Sequence, residues 1–191
     1  MPIWPFRPRQ PELQDQGLAD LAQMFLLNPD DPTPGSESLN LTRCDFTVES
    51  LKVVDDHLEV MRHRSLEGEA MMKFVLRCGA YVGEVIRRHA PAAKPWHWLK
   101  YDDALRLDQR LAAVGKGLGT AAVLWDGREG FCFPLGRVGK YLENGAEDSV
   151  SVFAQVIIDR ARRCVVRSWI RPTSLSPCSP ILRTRRCHSP R

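Results

Sequence analysis

Apolar residues between positions 72 and 89 recur on one broad arc. At about 100° per residue Phe74, Val75, Cys78, Tyr81, Val82, Val85 and Ile86 fall together, and Gly79 and Gly83 continue the same arc. One neighbour cannot cover an arc wider than half a helix, so the pattern predicts a core helix packed by a second helix on one flank and by a sheet on the other. Gly79 and Gly83 each forfeit about 1 kcal/mol of helix propensity relative to alanine. Close approach of another element would compensate, and the pattern predicts it at both positions.

The remaining pattern falls around this helix. Over 12–27, Leu18, Leu21, Ala22 and Phe25 are spaced for a short helix. Over 48–62, Leu51, Val54, Leu58 and Met61 form a stripe, with Thr47 as a candidate N-cap. The 48–62 helix is expected to pair with the central one as an antiparallel hairpin. Residues 96–101 read as a strand with Trp96 and Trp98 on one face and His97 and Leu99 on the other. Residues 102–114 fit neither period cleanly and suggest a short helix ended by Gly115. The apolar runs 120–125 and 131–135, joined by Asp126-Gly127-Arg128-Glu129-Gly130, predict a β-hairpin. A short helix over 137–143 and a final one over 149–163, capped by Asp148, complete the series. The fold class is therefore α+β, a helical hairpin and a C-terminal helix packed on a small antiparallel sheet.

Composition divides the chain. Pro2, Pro5, Pro8 and Pro11 open a proline-rich arm that, with the short helix and the NPDDPTPGSES linker, occupies 1–45; the α+β domain spans 46–163. From 164 to 191 an Arg-, Pro- and Ser-rich tail is expected to be disordered, and its abrupt change of character also resembles translation in an alternative reading frame. Nine of the 27 basic residues and none of the 23 acidic ones lie at or beyond Arg160, so the first 159 residues carry 18 basic against 23 acidic groups, a net −5. The overall +4 thus hides a mildly acidic body. No window reaches the roughly 18 uninterrupted apolar residues of a membrane span, and the opening has no apolar run of signal-peptide length. A cytoplasmic chain is expected, with six cysteines as free thiols because no C-x-x-C pair occurs.

Chemistry is sparse. His57 falls inside an apolar arc and reads first as a buried imidazole hydrogen-bonded to a neighbour, and second as a catalytic or ligand group. Trp96, His97 and Trp98 could form a ligand platform, although aromatics paired on one strand face commonly pack against a helix. Glu84 lies with Arg77 and Arg88 opposite the apolar arc and is expected in a solvated or rim ion pair. The run Gly115-Lys116-Gly117-Leu118-Gly119-Thr120 leads into a strand rather than out of one and lacks phosphate-loop spacing, so it reads as a flexible lead into the hairpin. No metal-ligand spacing, cofactor motif or catalytic constellation stands out.

The segments GAYVGEVIRR (79–88), WHWLKYDDA (96–104) and FPLGRVGKYLENGAEDSV (133–150) together resemble small bacterial proteins of unassigned function, over 46–163. That resemblance implies a helix pair against a small antiparallel sheet and carries over no catalytic residue. The combined expectation is a binding or regulatory module without a cofactor. Its partner would be a protein more basic than the body, of the kind an immunity-type protein neutralises. Two competing readings are an enzyme with a small-molecule pocket near His57 and Trp96, and a nucleic-acid binder using the arginine-rich tail.

Overall fold

The computed structural model describes residues 11–64, 66–93 and 95–169, those beyond 163 as backbone only. Among the described residues six α-helices, α1 (Asp15–Leu26), α2 (Ser50–Arg62), α3 (Gly68–His89), α4 (Tyr101–Leu107), α5 (Pro134–Asn144) and α6 (Val150–Trp169), surround three strands, β1 (His97–Lys100), β2 (Ala122–Trp125) and β3 (Phe131–Cys132). The fold is α+β.

The strands form an antiparallel sheet in the order β1-β2-β3, with Trp98 opposite Leu124 and Leu99 opposite Val123. Alternation along the pleat separates two cores. Trp96, Trp98, Leu124 and Cys132 join the main core with α3, whereas Leu99 and Val123 pack with Tyr101, Ala104 and Leu111 on the other face. The predicted faces of the 96–101 strand hold, but its end does not. Tyr101 already opens α4, with Asp102 and Asp103 in the first turn, where a helix dipole favours acids. The ambiguous 102–114 segment is two pieces. α4 ends at Leu107, and Asp108 caps a separate 3-10 turn, Gln109–Ala113, by accepting the Arg110 N–H at 2.9 Å.

Both α3 glycines are contact points. A Cβ on Gly79 would lie 2.7 Å from the Leu135 Cα of α5, and one on Gly83 would lie 2.1 Å from Cζ2 of the Trp98 ring. The helix therefore meets a helix along one line and the sheet along the next, as its apolar arc requires.

Two expectations are corrected here. The close helical partner of α3 is α1, which puts Leu18, Ala22 and Phe25 into the main core; α2 instead lies nearest α5 and α6, and reaches α3 through side chains. Segment 12–45 is thus joined to the domain core. Asp31 in the linker accepts from Lys73 Nζ at 2.5 Å and Arg77 Nη2 at 2.7 Å, and Leu39 and Cys44 are buried. Phe46, at φ 62°, closes this strap in a backbone conformation unusual for a bulky residue. It is held by its N–H on the Tyr81 hydroxyl, its carbonyl 3.0 Å from His89 Nε2 and Arg88 over its ring.

The second correction concerns α6. Asp148 does not cap it, because its carboxylate binds Arg137 and Asn144. Asp55 of α2 does so instead, accepting from Val150 N at 2.8 Å, Ser151 N at 3.2 Å and the Ser149 hydroxyl at 2.8 Å. A carboxylate supplied by another helix satisfies orphan donors and ties the two helices together. Asp55→Ala is expected to cost about 2 kcal/mol, at the upper end for a cap because the loss is also tertiary. Asp148→Ala should cost clearly less, and urea midpoints of the two variants make the comparison. α6 also runs on to Trp169, six residues into the segment expected to be tail. The proline-rich 1–10 and the tail beyond 169 lie outside the described residues.

Candidate functional site

The four residues singled out in the sequence occupy three separate places. His57 is buried, 3% exposed, with its ring between Phe25 and Phe74 and its Nδ1 3.2 Å from the Ser38 hydroxyl. Its Nε2 has no partner among the described residues. Burial, aided by Arg64, lowers its pKa to about 4. The folded ring is thus held neutral where an unfolded one, near 6.5, would protonate. Because the unfolded chain binds more protons between these values, the stability gained from a neutral His57 is complete above pH 6.5 and is lost as pH falls towards 4. The loss is expected to be about 2 to 3 kcal/mol. Comparing urea midpoints at pH 7 and 4.5 in the wild type and in His57→Phe, which should lose less over that range, checks this.

His97 and Trp98 belong to a polar network that joins α1, α3 and β1. Asp15 at the start of α1 accepts the Trp98 backbone N–H at 2.7 Å and lies 2.8 Å from His97 Nδ1. Glu84 of α3 accepts the Trp98 indole N–H at 3.0 Å and Arg87 Nε at 2.8 Å. Glu84 is only 1% exposed, so the expected rim ion pair is in fact a buried carboxylate. Arg77, read as polar-side, is likewise buried. Their side of α3 is covered because α1, β1 and the linker lie over it. A buried carboxylate is tolerated only when paired and hydrogen-bonded, and these donors supply both.

Trp96 lies elsewhere, in a cleft of about 400 Å³ between the β2–β3 turn, the 3-10 turn after α4, and α6. Arg110, Asp126, Glu129 and Arg160 bring charge to it, and Phe131, Ile157 and Ala161 supply apolar wall. The cleft does not include His57, so the structure does not bring together the two residues expected to share a pocket. Besides Trp96, only the turn acids had a sequence signal, the hairpin connection that carries them. Asp126 Oδ1 accepts the N–H groups of Arg128 and Gly130, at 2.9 and 2.8 Å, which fixes the turn.

Nucleophilic thiols are poorly served. Burial raises the pKa of Cys44 to about 11 and pushes those of Cys78 and Cys132 well above the ordinary value, so these thiols stay protonated at neutral pH. Among the described residues, no group of three or more His, Cys, Asp or Glu side chains is placed to hold a metal ion, and no helix is long and apolar enough to cross a membrane.

A second concavity lies between the start of α2 and α6. Val48, Glu49 and Lys52 face Val152, Gln155 and Val156 across a groove of about 310 Å³. Val152 and Val156, one turn apart, are 63% and 54% exposed. Glu49, just before α2, lies in line with Lys52, Asp56 and Glu59 along the helix, and Glu59 is paired with Arg62 and His63. The Gly115–Thr120 run, in contrast, is a lead into β2 pinned by the Thr120 hydroxyl, which accepts the Gly117 N–H at 2.9 Å and donates to the Gly115 carbonyl at 3.0 Å.

Searched against protein-family models, curated proteins and solved structures, the chain matches none of them.

Proposed function

We propose that this protein is a binding module whose partner is a protein more basic than its own body, docked on the groove between α2 and α6. The observation that carries this reading is the pair of exposed valines on α6 across the groove from Glu49 and Lys52 at the start of α2. Exposed apolar side chains at helical spacing, rimmed by charge, offer a partner desolvation energy at the centre and selectivity at the edge. The net −5 of the first 159 residues supports a cationic partner, because the long-range field favours its approach. The buried carboxylate of Glu84 is accounted for by fold-holding pairs, and His57 is enclosed between Phe25 and Phe74 with its Nδ1 beside the Ser38 hydroxyl, which argues for a structural part in both.

A capture experiment with the full chain and its Val152→Glu/Val156→Glu variant tests this reading. The wild type should retain a basic protein from its host that the variant releases. Equal retention by both, or by neither, would contradict it. Both substitutions are at exposed positions, so the variant should match the wild type in melting temperature.

A further inference from the structure

We propose that the Trp96 cleft is a binding site for a small zwitterion of the α-amino acid class, one ammonium and one carboxylate on a compact apolar body. The site is independent of the α2–α6 groove.

At about 400 Å³ the cleft is within the range of roughly 300 to 1,000 Å³ typical of small-molecule sites. It has a buried aromatic, Trp96 at 5% exposure, and half-buried walls in Phe131 and Ile157. Charge selects among ligands. Glu129 and Arg160 take part in no ion pair among the described residues, and Asp126 has its second oxygen, Oδ2, free of hydrogen bonds among them. Arg110 spends Nε and Nη2 on Asp108 and keeps Nη1. A ligand bearing only negative charge would meet Asp126 and Glu129, one bearing only positive charge would meet Arg160 and Arg110, and a neutral apolar one would desolvate all four without return. A zwitterion answers both sets, with its ammonium toward the turn carboxylates and its carboxylate toward the guanidinium of Arg160.

A further observation points the same way. The Trp96 indole N–H is buried and has no acceptor among the described residues, which is uncommon for a donor-only group. Protein atoms cover it, so a ligand oxygen accepts from it only if the ring turns toward the cleft. A carboxylate with two oxygens can serve both Arg160 and this N–H. The apolar body of the ligand would then lie between Phe131 and Ile157.

The test is isothermal titration of the full chain with L-leucine, L-methionine and L-phenylalanine, with tryptophan fluorescence followed in parallel. The same titrations are made with N-acetyl-L-leucine, which lacks the ammonium, and L-leucine methyl ester, which lacks the carboxylate. At least one free amino acid should bind saturably, with each blocked derivative at least tenfold weaker. Glu129→Gln and Arg160→Gln, both at exposed side chains, should each weaken binding by a similar factor, and Trp96→Phe should abolish the fluorescence change. Failure of all three amino acids to bind, binding of a blocked derivative as tight as of its parent, or insensitivity to both charge variants would overturn the proposal. Since the probes meet α6 only at Ile157, Arg160 and Ala161, and not at Val152 or Val156, such a failure leaves the protein-binding reading standing, and failure of partner capture leaves this one standing.

Discussion

Gly83→Leu is expected to lower stability by at least about 3 kcal/mol, enough to leave much of the protein unfolded under mild conditions. A Cβ at this position would lie 2.1 Å from Cζ2 and 2.3 Å from Cη2 of the Trp98 ring. That ring is fully buried and its N–H is tied to Glu84, so it cannot swing aside without breaking a buried hydrogen bond. Propensity favours the substitution and packing opposes it; the overpacking term is several times larger. Gly139 of α5, with open space where its Cβ would be, supplies the control: Gly139→Ala should stabilise by up to about 1 kcal/mol. Urea unfolding of the three proteins decides the matter, and a Gly83→Leu variant as stable as the parent would show that α3 does not lie against Trp98.

Glu84→Ala should be nearly as damaging, at about 3 to 5 kcal/mol, because it strips the acceptor from Arg87 and from the Trp98 indole while leaving both donors in place. Glu84→Gln keeps the shape and one acceptor oxygen, and is expected to recover a good part of that loss. A double variant, Glu84→Leu with Arg87→Met, removes both members of the closer pair and should be milder than Glu84→Ala, since the guanidinium that then loses this carboxylate, Arg88 at 3.8 Å, is well exposed to water. Chemical denaturation resolves the order. If Glu84→Ala cost less than 1 kcal/mol, the carboxylate would have to be reached by water, against its 1% exposure.

These two residues also show what the sequence could and could not reveal. Periodicity located α3, its glycine contacts, the hairpin and the burial of His57, because each depends on local spacing alone. The angle of Glu84 on the helix was equally legible, but an angle says nothing about what lies outside it. Its polar side is covered by α1, β1 and a linker that prolines and aspartates had marked as peripheral. The same blindness to distant partners exchanged the caps of α6: Asp148 has the right position in sequence, whereas Asp55, on another helix, has the right position in space. Of the Trp96 cleft, the tryptophan and the turn were visible. Arg110 and Arg160 arrive on elements far from the turn in sequence, and no local pattern announces their meeting.

The functional proposal places recognition on a surface built by α2 and α6, with the tertiary cap from Asp55 holding the two helices in register. Helices fixed in this way present Val152 and Val156 beside Glu49 and Lys52 with little ordering cost on binding. Amide hydrogen exchange of the full chain, alone and with the captured basic partner, tests this placement most directly. The added protection should be confined to residues 48–56, which lead into α2 and form its first turns, and to residues 151–159 of α6, and should fade as salt is raised through the range where the screening length drops below about 10 Å. Protection centred on the 126–130 turn, or none on α6, would contradict it.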